Sequence, residues 1–443
     1  MLCLIDLQGI FGNTFFPARF WRKTDAFLVF KRPHQMTISA IEKWRNLALL
    51  VTAEILIFGL WFSASAILPQ MTKEWQLSGA DQSWMTMSVQ VGFVVGALLI
   101  ALLNLADRIP SSRLIAACAL GGAAVNAGIA LLDYAPTLAL LLRFATGMGL
   151  AGTYPPGMKL AATWCKEDRG LGIGLLVGGI VVGSSIPHLL NALPLLGGGG
   201  MPPWRTVLLV SSALAALGAL VVGTGVSGGP FLTGVAPFNW RFAGRVLTHK
   251  PTRLANFGYL GHMWELYGMW TWVPIFLIIS YGAAGWSIQS ARLAGFAAIA
   301  VGAFGSLAAG LLADRFGRIR ITVANLIVSG TCTLCAGVFF SSPGLLTVLC
   351  LLWGFTVVAD SAQFSAAVSE LTDPRYVGTA LTVQTTLGFL LTLFSIRIIP
   401  ALVEIIGWEW VFVVLAPGPA FGIWSMLKLR LMPEATRMAS GNR

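Results

Sequence analysis

The chain has 443 residues, of which 56% are hydrophobic and only 11% charged, and its mean hydropathy is +0.78. A soluble domain carries about 25% charged residues, so 29 basic and 18 acidic side chains are too few to cover a globule of this size, and lipid must serve as solvent. These figures exclude a cytosolic enzyme, a disordered tail and a disulfide scaffold. Fifty glycines and 21 prolines fit the heavier use of both in membrane helices. The net charge of +11 does not indicate a nucleic-acid partner, because the charges sit in short clusters between apolar runs. Six cysteines make no disulfide framework. Cys118, Cys332, Cys335 and Cys350 lie inside apolar runs, and the Cys332-x-x-Cys335 pair is one helical turn of core.

Residues 1–45 read as a cytoplasmic N-terminal segment. Arg19, Arg22, Lys23, Lys31 and Arg32 interrupt its apolar stretches, so neither a signal peptide nor a span is expected there. Met36 reads as an alternative start, and no structure is expected before residue 40.

A hydrocarbon core of about 30 Å needs about 20 apolar residues per helix. Twelve stretches qualify: 46–69, 83–105, 114–132, 138–160, 170–192, 205–224, 256–281, 290–312, 321–340, 345–368, 377–399 and 409–427. They predict an all-α membrane protein of twelve transmembrane helices in two six-helix bundles. The bundles span 46–224 and 256–428, joined by a cytoplasmic central loop at 225–255 and followed by a cytoplasmic tail at 429–443. The central loop carries Arg241, Arg245, Lys250 and Arg253 and no acid. With the N-terminus inside, nearly all basic residues collect on one face. Only Lys73, Arg205, Arg292 and Arg397 fall outside, and Arg143 falls within a helix. The positive-inside bias therefore predicts two cytoplasmic termini and a multi-pass protein of the cytoplasmic (inner) membrane. Trp75, Trp84, Trp204, Trp286, Trp408 and Trp410 are expected to form an outer aromatic belt.

The halves repeat. Asp107-Arg108 follows the second helix and Asp314-Arg315 the eighth. Glu54 and Glu265 occupy equivalent places in the first and seventh helices. Trp61 and Trp272 each follow their Glu by two helical turns, on the same face. Parallel six-helix repeats are the plan of one large transporter class.

The most specific segment is Gly310-Leu311-Leu312-Ala313-Asp314-Arg315-Phe316-Gly317-Arg318-Ile319-Arg320. It resembles the cytoplasmic loop signature of the major facilitator superfamily, and the resemblance extends over residues 45–430. Gly310 permits close helix approach and Gly317 a tight turn. Asp314 can pair with an Arg, or with the positive end of a neighbouring helix, in one conformation only, which is what a gate requires of the loop that carries Asp314, Arg315 and Arg318. The first-half copy keeps Asp107, Arg108 and Arg113, but Leu103 and Pro110 stand where the second copy has glycine. The run Arg143-x-x-x-Gly147-x-Gly149 resembles the fourth-helix motif of the same superfamily. Tyr154-Pro155-Pro156-Gly157 and the Trp-rich seventh helix loosely resemble bacterial permeases of the nitrate/nitrite and cyanate porter group.

An arginine inside a span is costly and faces a cavity or a partner, which makes Arg143 the expected substrate contact. Trp61, Tyr267, Trp270 and Trp272 would supply aromatic walls with polar tips. Intramembrane carboxyls cost about 2.5–3.5 kcal/mol each on insertion scales, and proton coupling is the expected reason for Glu54, Glu265 and Asp360. His262 lies one turn before Glu265 and is expected to relay its proton. Glu370, at a helix end, attracts no assignment. Gly170, Gly174, Gly178, Gly179 and Gly183 mark a closely packed fifth helix, and Pro155 and Pro156 a kink in the fourth.

No phosphate loop or nucleophile motif is present, and His262 and Glu265 lack a third ligand, so neither an enzyme nor a metal or cofactor site is expected. The resemblance implies a monomeric secondary transporter working by alternating access on a small organic or inorganic anion entering with protons. A proton-driven exporter of an amphiphilic compound is the alternative, and a transport-incompetent membrane sensor the alternative of another class.

Overall fold

The computed structural model describes residues 38–165, 169–197, 201–231 and 239–441. Two compact units are separated at Arg45: Met1–Arg45, and Asn46–Arg443 with the rest of the chain. Residues 1–37, and with them Met36 and the basic residues before it, lie outside the described residues, as do Lys166 and residues 232–238 of the central loop.

Helices and short turns make up the architecture, with no strand among the described residues. In chain order the helices are α1 Ile38–Trp75, α2 Gly79–Leu102, α3 Leu105–Arg108, α4 Ser111–Ile129, α5 Pro136–Ala151, α6 Tyr154–Ala162, α7 Arg169–Ala192, α8 Trp204–Gly225 and α9 Trp240–Thr248. They continue with α10 Lys250–Ala283, α11 Ile288–Ala300, α12 Gly302–Phe316, α13 Arg318–Cys335, α14 Pro343–Ala359, α15 Ser361–Leu371, α16 Val377–Trp410 and α17 Pro417–Arg430. Nine helical stretches among the described residues are long and apolar enough to cross a bilayer. One of them, Val377–Arg430, is 54 residues long and is divided by Gly407, whose φ of 75° takes it out of the helix.

Local chemistry explains the boundaries. Ser78 and Asp81 form a reciprocal capping box that starts α2. Pro155 and Pro156 occupy the first turn of α6, where a missing N–H is harmless, so the fourth rod breaks between Ala151 and Tyr154. The tenth rod breaks at the matching place, Asp360, without a proline. Pro251 likewise sits in the first turn of α10. The helix therefore begins at Lys250, ahead of the expected 256, and the central loop itself holds α9. Gly317, at a φ of 97°, makes the turn between α12 and α13.

Glycine contacts carry the repeat into the packing. A Cβ on Gly147 would overlap the carbonyl of Val89, and one on Gly354 would overlap that of Ala298. Gly92 against Phe144 and Gly305 against Phe355 repeat the pattern. Such contacts let α2 reach α5, and α11 and α12 reach α14, at backbone distance. On α7, Gly183 meets the Ile55 carbonyl of α1 while Gly178 meets Ala303 of α12. One glycine-rich helix thus packs within its own half and against the other.

The aromatic belt is narrower than expected. Trp84, Trp286 and Trp410 are exposed, but Trp75 and Trp204 are buried. These two meet edge to face at 5.6 Å, and Trp204 donates to Glu74 at 2.6 Å. A carboxylate partner and a second ring hold them inside a small apolar cluster with Ile67, Met71 and Val207.

Candidate functional site

At mid-length, four helices from the two halves bring their aromatic side chains together. Trp61 of α1 lies 5.8 Å from Tyr267 of α10, 5.3 Å from Phe389 of α16 and 5.1 Å from Phe93 of α2, between ring centroids. Phe62 stacks on Tyr267 at 6.3 Å and meets Trp270 edge-on at 5.8 Å. Beside them Thr392 of α16 donates to Gln90 of α2. The indole N–H groups of Trp61 and Trp270 are buried and have no hydrogen-bond partner. An aromatic box with unspent donors is suited to a flat ring bearing acceptors. Trp272 is not part of it. Its indole donates to the Ile396 carbonyl at 3.1 Å and it packs beside Trp408, because two residues beyond Trp270 the helix presents another face.

Arg143 is fully buried, with its guanidinium directed into the helix bundle of its own half. Nε donates to Met85 O at 3.2 Å. Nη1 donates to Leu60 O at 2.9 Å, Ser63 Oγ at 3.1 Å and Asn126 Oδ1 at 3.2 Å, and Nη2 donates to Trp61 O. The expected substrate contact is here a tie between α5 and helices α1, α2 and α4. The planar fork of donors matches a ring of carbonyls as readily as it matches an anion.

The acids divide into three environments. Glu54 is fully buried and neither carboxyl oxygen has a donor; Oε1 sits where a side chain on Gly157 of α6 would be. Glu265 accepts from Ser329 Oγ at 2.9 Å and from Trp353 Nε1 at 2.7 Å. The partner of His262 is Asp360: its Nδ1 lies 2.8 Å from Asp360 Oδ1, with both side chains buried. The anticipated relay from His262 to Glu265 is therefore replaced by a His262–Asp360 pair. Asp360 stands at the break of the tenth rod, where its side chain turns back toward α10.

At the basic end, Arg318 makes the central ion pair. Nε donates to Glu370 Oε2 at 2.9 Å and Nη2 to Oε1 at 2.7 Å, while Nη1 donates to Gln363 at 2.8 Å. Asp314 reaches the same guanidinium at 3.4 Å. Glu370, given no role from sequence, is thus the principal partner, a bidentate one. Arg315 is exposed and Gly310 half-buried in α12. In the first half Arg108 and Arg113 are exposed, and Lys159 Nζ donates to Ala106 O at 2.8 Å, at the short α3 that carries Asp107. Among the described residues no group of three His, Cys, Asp or Glu side chains is placed to hold a metal ion.

Sequence reasoning missed Phe62, Phe93, Phe389 and Glu370. The three phenylalanines are indistinguishable by sequence from lipid-facing ones, and Glu370 differs from other helix-end acids only by what stands opposite.

Comparison with known proteins agrees with this architecture. A family model described as the Major Facilitator Superfamily matches residues 50–284 and 255–442. The chain is 23% identical over 347 residues to the niacin transporter NiaP of Acinetobacter baylyi, covering 68% of this chain and 76% of that one. It is 27% identical over 320 residues to a NiaP protein of Bacillus subtilis provisionally named a niacin/nicotinamide transporter, covering 69% and 76%. Among solved structures, a bacterial homologue of the human lysosomal transporter Spinster superposes with a TM-score of 0.67 at 18% identity, covering 88% of this chain and 99% of that one. The xylose transporter XylE from E. coli gives 0.65 at 13% identity, covering 88% and 99%.

Proposed function

The chain belongs to the Major Facilitator Superfamily, and we propose that it is a secondary active transporter that carries a small aromatic carboxylate inward together with protons. That it is a multi-pass transport protein and not an enzyme follows from the family and its relatives. The finer reading rests on the box formed by Trp61, Phe62, Tyr267, Trp270 and Phe389, which is built from both halves. A substrate held at that junction would be exposed to one side or the other as the halves rock. Relatives named as niacin transporters favour a flat heteroaromatic acid over an inorganic anion.

Counting each broken rod once and dividing Val377–Arg430 at Gly407 supports twelve spans, and the basic residues favour cytoplasmic ends for both termini. The cluster of Asp314, Arg318 and Glu370 then lies on the cytoplasmic side, where it ties α12, α13 and α15 together within the second half. An anion entering a negative interior works against about 2.3 kcal/mol per charge per 100 mV, so one proton per univalent anion removes the electrical penalty. Asp360 with His262, and Glu54, are the proposed proton sites. Glu265, which already accepts two donors, is the structural member of the set.

Purified protein in proteoliposomes, given labelled nicotinate (the anion of niacin) or nicotinamide, tests the reading. Nicotinate should show counterflow, and it should accumulate when the outside is acidic. Absence of counterflow for both compounds sinks the aromatic-substrate reading. Counterflow without pH-driven accumulation sinks the coupling alone.

A further inference from the structure

We propose that Arg292, assisted by His188, is the group that receives the substrate's carboxylate, at the end of the aromatic box away from the Arg318–Glu370 ion pair. This rests on the alternating-access reading above. Arg292 lies in the second turn of α11 and is 7% exposed. Its Nη1 donates to Asn191 O at 2.7 Å and to Asn191 Oδ1 at 3.3 Å, and its Nη2 contacts Met201 Sδ at 3.2 Å. Its Nε–H has no partner, and among the described residues no carboxylate pairs with it. His188 of α7 is 5% exposed and its Nε2 is likewise without a partner. Both line a cavity of 10 Å³ together with Ser65, Asn191, Pro274 and Ile278, which is room for about one water.

Two features turn this buried cation into a binding site. The first is continuity. The His188 ring lies 6.5 Å from Phe62, which stacks on Tyr267, and Pro274 lies one turn beyond Trp270 on α10. A flat ring in the box would direct a substituent at the cavity. The second is the placement of the partners. Arg292 belongs to the second half, whereas Asn191 and Met201 belong to the first. When the halves part on this side, the guanidinium loses every hydrogen-bond partner it has. Opened to water, the guanidinium has its planar fork of donors free for an anion, which it binds more strongly than it binds water. The Asn191 carbonyl and amide oxygen therefore stand in, in the closed protein, for the two oxygens of an arriving carboxylate. Arg143 differs, since all its acceptors lie within its own half and stay in place as the halves move.

Equilibrium binding of nicotinate and nicotinamide to the purified full-length protein, wild type and Arg292→Gln, tests the assignment. The two ligands share a ring and differ in charge. Loss of a charge-assisted hydrogen bond should weaken nicotinate by about tenfold or more, while nicotinamide changes by less than about twofold. Equal weakening of both, or no weakening of nicotinate, overturns it. If Arg292→Gln does not fold, Arg292→Lys keeps the charge without the planar fork. There a selective loss for nicotinate supports the site, and parallel behaviour of the two ligands overturns it. Wild-type protein that binds neither ligand refutes the aromatic-substrate reading itself, and this assignment with it.

Discussion

Replacing Arg143 separates a residue that holds helices from one that holds substrate. Five hydrogen bonds leave its guanidinium for α1, α2 and α4. The carbonyls of Leu60, Trp61 and Met85 belong to helical turns whose own amides already donate to them, so Arg143→Met orphans little and mainly removes the ties. Interhelical hydrogen bonds in membranes average about 0.6 kcal/mol, which puts the loss at about 3 kcal/mol for five. That is a large share of a total stability of about 5–15 kcal/mol. Methionine keeps much of the apolar volume, so the cavity contribution stays small. Arg143→Lys retains at most three donors and should lose about half as much. Melting followed in detergent by fluorescence-detected gel filtration should rank wild type above Lys above Met. Any surviving protein should keep its wild-type preference between nicotinate and nicotinamide. An Arg143→Met variant that melts like wild type yet has lost nicotinate alone would place the guanidinium on the substrate path and refute the structural role.

At the cytoplasmic ion-pair cluster, Glu370→Gln should lower the melting temperature more than Asp314→Asn does. Arg318 and Glu370 are the better-shielded pair, with Asp314 at 58% side-chain exposure against 28% for Glu370; equal or reversed effects would contradict the assigned ranking. Asp360→Asn should abolish pH-driven accumulation while keeping counterflow. Glu265→Gln should instead lower the melting temperature, because the single amide oxygen can accept from only one of Ser329 and Trp353 and its NH2 then faces the other. Accumulation lost in Glu265→Gln at normal stability would restore it as the coupling site. Gly354→Ala forces a methyl into the Ala298 carbonyl and should cost about 1–3 kcal/mol; a wild-type melting curve would deny the close approach. Reporter fusions after residues 240 and 430 should read cytoplasmic and those near 78 and 285 external, and an external reading at 240 would break the six-plus-six plan.

Run length and composition alone determined that this chain lives in lipid as a set of helices, because burying an unpaired backbone in hydrocarbon leaves few other options. The segment Gly310–Arg320 likewise carried its family resemblance in its own residues, and Pro155-Pro156 its helix break, since both are local chemistry. The partners of the buried polar groups were decided only by tertiary structure. Periodicity places His262 and Glu265 on one face of α10, yet it does not say which neighbour stands opposite. The axial register of α15 brings Asp360 to His262, and that of α13 and α14 brings Ser329 and Trp353 to Glu265. Glu370 and Arg292 carried no signal in the sequence for the same reason. An acid at a helix end and an arginine near a membrane surface look ordinary until the opposing half is placed. Trp75 and Trp204 show the converse, since amphipathic rings that suit a membrane interface pack equally well into an apolar cluster, Trp204 with its indole N–H on Glu74. Residue type sets what a group can bind, and helix rotation and register select the group it meets.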